Sequence, residues 1–377
     1  MRIGIVGCGF VSQFYRATLP RHPGLTLVGV TDRDENRARS FAWRAGVRRF
    51  RSLDELLADE SIELVVNLTN PGEHHAVSKA ALLAGRHVYS EKPLATNMED
   101  ATELVALAKA RGVRLSSAPC SLLGDTAQAL WRTLRSGEIG PVRVVYAALD
   151  DGLVHRMPYR TWSNGAGVAW PYKDEFEVGC TIEHAGYYLT WLVAFFGPAR
   201  RVTSFASVQV PDKVPGEPLD ATSPDFSVAC IEFSGGVVAR LTCSILAPHD
   251  HSLVVVGDEG VVETSECWDY RSAVTSRRRM VVGRRTFLSP IRRSRLAPAR
   301  GAAIPGSGGA ARMDFSLGPA ELAASVREGR ATLLSAELAL HVNELTLAIH
   351  GAREGPRVHE LVTTVEPLEP VEHRAVT

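Results

Sequence analysis

Two stretches of the sequence carry side chains suited to acid–base chemistry. In the first, Lys92 precedes Pro93 directly after a short apolar run. A lysine fixed by a following proline can hydrogen-bond or protonate a substrate hydroxyl, although a solvent-exposed lysine would give the same pattern. The second stretch holds two pairs of residues spaced by four, Glu183 with Tyr187 and His184 with Tyr188. That spacing places the members of either pair on one face of a predicted helix.

The two pairs imply different proton acceptors. A tyrosine takes a proton from a substrate hydroxyl only if a nearby cation stabilises the phenolate, and Lys92 is the candidate cation. Tyr187 would then be the acceptor, with Glu183 orienting substrate hydroxyls or Lys92. In the other pair, His184 and Tyr188 would share that work. His184 also fits a histidine hydrogen-bonded within its helix, and Tyr188 also fits core packing.

The first twelve residues are typical of a site for a pyrophosphate. An apolar run over residues 3–6 predicts a buried strand, and the glycines after it predict a tight turn into a helix. The first glycine permits the turn, the second lets the backbone approach phosphate oxygens, and free N–H groups at the helix start face the negative charge. Ser12 stands where this fingerprint has Gly or Ala, and such turns also occur without a ligand. The residues that would line the cofactor are Gly7, Gly9, Phe10 and Val11.

An acidic residue at the end of the second predicted strand is placed to bind the adenosine ribose. Asp32 follows that strand about 20 to 25 residues beyond the glycines, where its carboxylate would accept hydrogen bonds from ribose hydroxyls. Its charge would repel a 2′-phosphate, which favours NAD, whereas Arg33 would pair with the 2′-phosphate of NADP. Asp32 also fits the N-cap of the next helix, a role compatible with ribose binding.

Strands and helices alternate along the first third of the chain. The pattern predicts helices near residues 11–19, 35–45, 53–58, 74–84 and 98–110, and strands near 25–30, 64–68, 87–89 and 113–118. This alternation is typical of right-handed β-α-β units with a parallel sheet, in which ligands bind at the carboxyl ends of the strands. Two strand exits carry polar residues: Thr69, Asn70 and His74 after one strand, and Glu91 and Lys92 after another.

Taken together, these motifs resemble the glucose–fructose oxidoreductase, inositol dehydrogenase and rhizopine-catabolism (Gfo/Idh/MocA) family. The most specific mark is Glu91-Lys92-Pro93, supported by the glycine turn, the Asp32 strand end and the step from Thr69 to His74. The resemblance implies an α/β Rossmann domain over residues 1–122. It implies an α+β domain with an open, mainly antiparallel sheet over residues 123–377.

The family resemblance also assigns roles. Lys92 would lie near the nicotinamide and the substrate oxygen, with the Lys92–Pro93 bond cis, and the polar residues at both strand exits would bind the cofactor. In the family the helix near residue 183 usually carries an aspartate and, four residues on, a histidine that acts as general acid/base. Here Glu183 and Tyr187 occupy those positions in one register, and His184 and Tyr188 in the other, so the sequence departs from the family pattern in both.

The pattern of the second half of the chain predicts a β-sheet covered by helices. Apolar alternation predicts strands near residues 142–149, 202–210, 226–233, 237–244, 252–257 and 260–264, joined by short glycine-containing turns. Helices near 183–196, 318–328 and 335–350 would cover one face of this sheet. By the family resemblance, the other face would form a homodimer or homotetramer.

A polar and aromatic loop precedes the helix with the acid–base candidates. Sugar rings present apolar faces and a rim of hydroxyls, which aromatic rings and charged or amide groups suit. Four residues of this loop are candidates for substrate contacts: Trp170, Tyr172, Lys173 and Asp174. The same residue types also occur in loops that bind nothing.

Two further features have open interpretations. Residues 271–300 contain ten arginines and no acidic residue, followed by a glycine-rich stretch at 301–309. These arginines would hold the diphosphate of a nucleotide-linked sugar or would form a solvated, partly disordered excursion. His249 and His251 are alternate residues on one strand face, but no third ligand lies nearby in the sequence, so we expect a structural role and no metal site.

The amino-acid composition limits the classes of partner that the protein is expected to bind. Lys plus Arg equals Asp plus Glu at 42 each, which argues against nucleic-acid and membrane-surface partners. No apolar run reaches the length of a membrane span, and the chain begins directly with a predicted strand. Six cysteines without C-x-x-C spacing are typical of reduced thiols in a cytoplasmic protein.

We therefore expect an NAD(P)-dependent oxidoreductase that moves a hydride between the nicotinamide and a hydroxyl-bearing carbon of a sugar, cyclitol or nucleotide-linked sugar. One alternative is a lyase, epimerase or glycosidase that retains NAD and acts by transient oxidation. Another is a non-catalytic NAD-binding protein, which the missing histidine favours and Lys92 disfavours.

Overall fold

A computed structural model describes residues 1–220, 222–295 and 312–371 of the chain. The chain forms two compact units, each assembled from three segments. The first unit is Met1–Cys120, Arg156–Glu177 and Asp314–Leu347, and the second is Ser121–His155, Val178–Met313 and Ala348–Thr377. The first unit thus takes in two later segments that a single boundary after residue 122 does not include.

A six-stranded parallel sheet forms the centre of the first unit. Its strands are β1 (Arg2–Val6), β2 (Thr26–Thr31), β3 (Arg48–Arg49), β4 (Leu64–Asn67), β5 (His87–Ser90) and β6 (Leu115–Ser117). They lie in the order β3-β2-β1-β4-β5-β6, and every pairing is parallel. The order reverses between β1 and β4, which is where doubly wound sheets bind ligands. The predicted α/β Rossmann fold is confirmed.

The helices between these strands begin and end within one residue of the predicted bounds. The α-helices within the described residues are α1 (Ser12–Thr18), α2 (Glu35–Ala45), α3 (Leu53–Leu57), α4 (His74–Leu83), α5 (Met98–Arg111), α6 (Asp125–Arg135), α7 (Tyr172–Val178), α8 (Cys180–Phe196), α9 (Leu317–Glu328) and α10 (Ala336–His350). Asp34 caps α2 by accepting hydrogen bonds from the N–H groups of Asn36 and Arg37, and Asn97 caps α5 in the same way. Asp32 is therefore not the cap of α2.

The positions of α9 and α10 differ from the prediction, which placed both helices on the second sheet. Helix α9 instead packs against β5 and β6 in the first unit, and the first turns of α10 pack Ala336, Ala339 and Leu340 against the core of that unit. Gly318 permits this packing, because a Cβ at that position would clash with the Tyr89 hydroxyl oxygen. Amphipathic spacing predicted that the helix exists but could not show which sheet it covers.

The second unit is built on a mixed, mainly antiparallel sheet, as predicted. Its strands are β7 (Val142–Asp150), β8 (Ala199–Ser207), β9 (Phe226–Phe233), β10 (Val238–Ser244), β11 (Leu253–Gly257), β12 (Gly260–Thr264), β13 (Val274–Val282), β14 (Arg285–Leu288), β15 (Arg293–Arg295) and β16 (Arg357–Glu360). They lie in the order β14-β13-β12-β11-β7-β10-β9-β8-β16, with β15 beside β13, and β7 and β10 are the parallel pair. Helix α8 packs on β9 and β10.

Strand β8 ends at Ser207, earlier than the predicted 210. The backbone N–H groups of Gln209 and Val210 donate to the Asp225 carboxylate rather than to a neighbouring strand. Asp225 is fully buried and lies 3.2 Å from the ammonium nitrogen of Lys213, which is 1% exposed. This buried ion pair fixes the loop after β8.

The described residues of the arginine-rich segment include three strands that the sequence analysis did not predict, β13, β14 and β15. β13 and β14 pair as an antiparallel hairpin around Gly283, and their outer residues are exposed. The predicted flexible stretch at 301–309 lies outside the described residues. Among the helices that the structure describes, none combines the length and the apolar character needed to cross a membrane.

Candidate active site

The glycine turn after β1 has two glycines with different roles. Gly7 has φ +97°, and a Cβ there would lie 2.5 Å from the Leu68 carbonyl oxygen, so the turn requires glycine. At Gly9 a Cβ would meet nothing within 4 Å, which leaves open space beside the backbone. Ser12 is buried, and its hydroxyl donates to the Gly9 carbonyl oxygen at 2.7 Å. The serine that departs from the fingerprint therefore closes the turn.

Asp32 is joined to the glycine turn by its backbone contacts. Its Oδ2 accepts a hydrogen bond from the Cys8 N–H at 2.6 Å, and its Oδ1 accepts one from the Asp34 N–H at 2.7 Å. A carboxylate oxygen has a second lone pair, so both oxygens can still accept from ribose hydroxyls. The neighbouring Arg33 is exposed.

The strand exit after β4 is organised by a buried asparagine. The side-chain amide of Asn67 donates to the His74 carbonyl and the Ser78 hydroxyl, and its oxygen accepts from the Thr69 hydroxyl at 2.7 Å. His74 is fully buried, with Nε2 3.0 Å from the Thr69 carbonyl oxygen and Nδ1 2.7 Å from that of Pro93. His74 thus links the two strand exits. Burial lowers its pKa, against the opposing effect of the two carbonyls.

The exit after β5 fixes the backbone of Lys92 from two sides. Glu91 is 8% exposed, accepts a hydrogen bond from the Tyr15 hydroxyl at 2.7 Å, and accepts one from the Lys92 N–H at 3.1 Å. On the other side, Pro93 is held by His74. Burial and the charge of Glu91 raise the pKa of Tyr15 well above its ordinary value, so this phenol remains a donor. The Lys92–Pro93 bond is cis, as the resemblance implied.

The aromatic loop with the predicted substrate contacts belongs to the first unit. Asn164 donates to the Phe10 carbonyl at 2.9 Å, and Asn70 donates to the Asp174 carboxylate at 2.6 Å. Both contacts join the loop to residues predicted to bind the cofactor. Burial, and then the charge of Glu177, raise the pKa of Asp174. Of the other candidates, Trp170 packs against Tyr159, Trp162 and Phe176, Tyr172 packs against Tyr159, and Lys173 is exposed.

Helix α8, in the second unit, sorts its candidate residues onto two sides. Tyr188 is fully buried, and its hydroxyl donates to the His251 carbonyl oxygen. His184 and Tyr187 are partly exposed, and their rings pack on Trp268 with centroids 5.9 and 5.5 Å away. The partly exposed pair is therefore His184 with Tyr187, a combination that neither predicted pairing contains.

A chain of alternating imidazoles and carboxylates runs behind His184. Its Nε2 lies 3.1 Å from Asp151 Oδ2, and Asp151 Oδ1 lies 3.0 Å from His251 Nε2. The other nitrogen of His251 lies 2.9 Å from Glu266, whose second oxygen lies 3.3 Å from His249 Nε2. We call these five residues the imidazole–carboxylate chain. His251 is 1% exposed, whereas His249 is exposed.

Three residues of the imidazole–carboxylate chain have pKa values shifted in different directions. Burial alone would lower the pKa of His251, but hydrogen bonds to Asp151 and Glu266 outweigh it and raise that pKa to about 9. Burial opposes ionisation of Asp151 and Glu266, but the histidines beside each carboxyl hold both pKa values below their ordinary range. His251 is therefore an imidazolium between two carboxylates at neutral pH.

Comparison with known proteins identifies the family. One family model, an oxidoreductase family with an NAD-binding Rossmann fold, matches residues 1–118, and the C-terminal domain model of the same family matches residues 127–263. The chain belongs to the Gfo/Idh/MocA oxidoreductase family. The predicted membership and the NAD-type cofactor are thereby confirmed.

Relatives in this Gfo/Idh/MocA family include enzymes of several names. The trans-1,2-dihydrobenzene-1,2-diol dehydrogenase of Mus musculus is 29% identical over 273 residues, 71% of this chain and 75% of the mouse protein. Among solved structures, the WlbA dehydrogenase of Bordetella pertussis, in complex with NADH and UDP-GlcNAcA, has a TM-score of 0.72 at 20% identity, covering 96% of this chain and 97% of its own. An inositol dehydrogenase homologue of Azotobacter vinelandii, with NADH and myo-inositol, has a TM-score of 0.75 at 19% identity, with the same coverage. These structures show that the fold is shared.

The first unit of this Gfo/Idh/MocA member fits a bound dinucleotide. The open space at Gly9 admits phosphate oxygens, and the positive-φ turn at Gly7 is of the type that places a backbone close to them. Asp32 presents its carboxylate at the adjoining strand end. The individual contacts of Phe10, Val11, Thr69 and Asn70 with a cofactor remain predictions.

Several residues of the site escaped the sequence analysis. They come from the ends of separate strands and include Asn67, Asp151, Glu266 and Trp268. One signal for this cluster was present in the sequence, the spacing of His249 and His251. The carboxylates that hydrogen-bond to His251 lie far from it in sequence, Asp151 100 residues upstream and Glu266 15 residues downstream. Glu183, a predicted catalytic residue, is 8% exposed in α8.

Proposed function

We propose that this protein is an NAD(P)-dependent dehydrogenase that oxidises a hydroxyl-bearing carbon of a sugar, cyclitol or nucleotide-linked sugar, or reduces the corresponding ketone. The observation that carries the proposal is the fixed backbone of Lys92, held through Glu91 by Tyr15 and through Pro93 by His74. A lysine whose backbone cannot shift is suited to hold a substrate oxygen at one position. When bound, the nicotinamide supplies the hydride acceptor.

The proton of the substrate hydroxyl requires a separate acceptor. We assign it to His184, because Asp151 holds its Nε2 and the ring is only partly buried. Its Nδ1 is shielded from solvent and has no hydrogen-bond partner in the part of the chain that the structure describes, so a substrate hydroxyl that reaches it must enter beside the partly exposed ring. Tyr187, beside it on Trp268, is the alternative acceptor, and Tyr188 is disfavoured by its full burial.

The named relatives indicate where a substrate search begins. One is a dehydrogenase of a 1,2-diol, and another was crystallised with myo-inositol, so both involve hydroxyl groups on a carbon ring. We therefore propose ring compounds with neighbouring hydroxyls as the substrate class, and Trp170, Tyr172, Lys173 and Asp174 as residues that contact them. Asp32 favours NAD over NADP as the cofactor.

The test begins with the cofactor. The purified protein is denatured, any released nucleotide is identified by mass spectrometry, and the stripped protein is titrated with NAD and NADP. We expect exchangeable NAD and NADH formation at 340 nm with a panel of cyclitols, sugars and nucleotide-linked sugars. Tightly retained NAD without net NADH would favour a lyase, epimerase or glycosidase with transient oxidation, and no binding of either nucleotide would refute catalysis.

Paired substitutions identify the proton acceptor. His184→Gln is expected to lower kcat by about 10² to 10⁴, the usual contribution of a general base, whereas Tyr187→Phe should lower it less than about tenfold. The reverse ranking would assign the role to Tyr187. Equal, near-normal rates in both variants would leave Lys92 as the acceptor.

The proposal includes a cytoplasmic homodimer or homotetramer. Its support is an open face of the second sheet, where Tyr146, Phe205 and Val238 are exposed and the Arg240 guanidinium carbon lies 5.0 Å from the Tyr146 ring centroid. Light scattering after size-exclusion chromatography measures the mass. A Tyr146→Glu variant that stays folded should become monomeric if this face is the interface.

A further inference from the structure

The imidazole–carboxylate chain behind His184 has a defined arrangement of protons. An ionised carboxylate only accepts hydrogen bonds, so the hydrogen in every link of the chain belongs to a histidine. Asp151 and Glu266 both have lowered pKa values and are ionised at neutral pH. His251 therefore donates from Nε2 to Asp151 and from Nδ1 to Glu266.

The same reasoning fixes the other side of Asp151. Its Oδ2 lies 3.1 Å from His184 Nε2, so that nitrogen carries a proton. A neutral imidazole has one N–H and one bare nitrogen, and the bare nitrogen of His184 is then Nδ1. The arrangement leaves Nδ1 as the acceptor.

We infer that Asp151 is a positioning residue that fixes the neutral His184 ring in the Nε2–H tautomer, and that His251 and Glu266 hold Asp151 oriented for this task. The inference rests on the proposed function only for the use made of Nδ1, which is to receive the substrate proton. When the hydroxyl proton moves to Nδ1, His184 becomes an imidazolium paired with Asp151, and the electron pair of the broken C–H bond leaves as hydride to the nicotinamide. The total charge is unchanged, because a bound nicotinamide would lose one positive charge on accepting the hydride and the imidazolium gains one, which the Asp151 carboxylate stabilises.

A metal ion is the competing use of these residues. Ligand atoms of Asp151, His249 and His251 lie within 4.8 Å of one another, which supplies the third ligand that the sequence did not show. Both nitrogens of His251, however, point at carboxylates in hydrogen-bonded geometry, so neither has a lone pair for a metal. We therefore favour the hydrogen-bonded arrangement.

The experiment reads the tautomer directly. Protein labelled with ¹⁵N-histidine is examined by long-range ¹H–¹⁵N correlation spectra at a pH where the His184 ring is neutral, and His184→Gln assigns its signals. In the parent we expect a protonated Nε2 and a bare Nδ1 for His184, and two protonated nitrogens for His251. Asp151→Asn offers an amide that can donate to Nε2, so the His184 tautomer should invert.

Three further variants keep the result interpretable if Asp151→Asn folds poorly. Glu266→Gln removes one of the two carboxylates that stabilise the His251 imidazolium. His251 should therefore lose one of its two ring protons at a pH below 9. Asp250→Asn, an exposed neighbour whose carboxylate accepts from the Ser252 N–H, is the matched control and should change neither histidine. Asp151→Glu should restore the parent tautomer.

Kinetics add an independent readout. Asp151→Asn should lower kcat by about 10² to 10⁴ with KM within about threefold, because the proton acceptor is lost while binding groups remain. An Asp151→Asn variant that keeps the Nε2–H tautomer would overturn the inference, as would stoichiometric Zn²⁺ bound to the parent with loss of the His251 N–H signals. Absence of any dehydrogenase activity in the parent would instead refute the proposed function, since the spectra require no turnover.

Discussion

Substituting Gly9 separates cofactor binding from folding. A Cβ at this position would meet no heavy atom within 4 Å, and its φ lies outside the left-handed region, so alanine fits the folded chain. Replacing a glycine at such a position stabilises a protein by about 0.4–1 kcal/mol through the unfolded chain. The new methyl group, however, occupies the open space through which phosphate oxygens would approach the backbone. Gly9→Ala should therefore fold normally and bind NAD poorly.

The expected loss follows from the hydrogen bonds at stake. A hydrogen bond to a charged group contributes about 1.5–3 kcal/mol, so losing one raises the Kd for NAD about 10- to 100-fold at about 1.4 kcal/mol per factor of ten. Calorimetric titration with NAD measures the Kd, and thermal unfolding without NAD measures the fold. Gly235→Ala, at another unobstructed glycine in a hairpin of the second unit, is the control and should leave the Kd unchanged. A folded Gly9→Ala protein that binds NAD within threefold of the parent would show that the cofactor does not use this turn.

Three other predictions address the remaining charged groups. Lys92→Ala should abolish turnover while calorimetry finds NAD affinity within about threefold, and an active variant would remove lysine from the mechanism. The pKa of His251 is raised from 6.5 to about 9, so the protonated ring contributes fully to stability below pH 6.5 and that contribution is lost as the pH rises through 9. Urea titrations over this interval should show the free energy of unfolding falling by up to about 3 kcal/mol. In His251→Gln the free energy of unfolding should not change over the same interval. Lys213→Met leaves the buried Asp225 unpaired and should lower the free energy of unfolding by about 3–5 kcal/mol, measured the same way, with the exposed Lys173→Met as control.

The parallel sheet and the cofactor turn were predictable because their signals are local. The run before Gly7, the position of Asp32 and the Glu91-Lys92-Pro93 step each occupy a few consecutive residues, and each lies at a strand end in the structure. Short-range patterns of this kind are set by the same backbone sterics that form the turn. The family resemblance also rested on them.

The acid–base site of the second unit was predicted only in part. The spacing along α8 offered His184 and Tyr187 in separate pairs, and burial decided between them: Tyr188 turns inward to the His251 carbonyl, which leaves His184 and Tyr187 on the Trp268 side. Helical periodicity gives the angles between residues but not which side faces the core. Asp151 and Glu266 reach the site from distant strand ends, so no local pattern marks them.

Chain connectivity has a consequence for synthesis. The path passes between the two units five times, and the first unit is complete only when Leu347 has been made, 227 residues after Cys120. At about 5–20 residues per second, the surface of β5 and β6 that α9 covers stays uncovered on the ribosome for at least about 10 s. A nascent chain of this protein therefore exposes the Tyr89 side of the sheet during translation, and a fragment ending near residue 122 would leave the same face uncovered permanently.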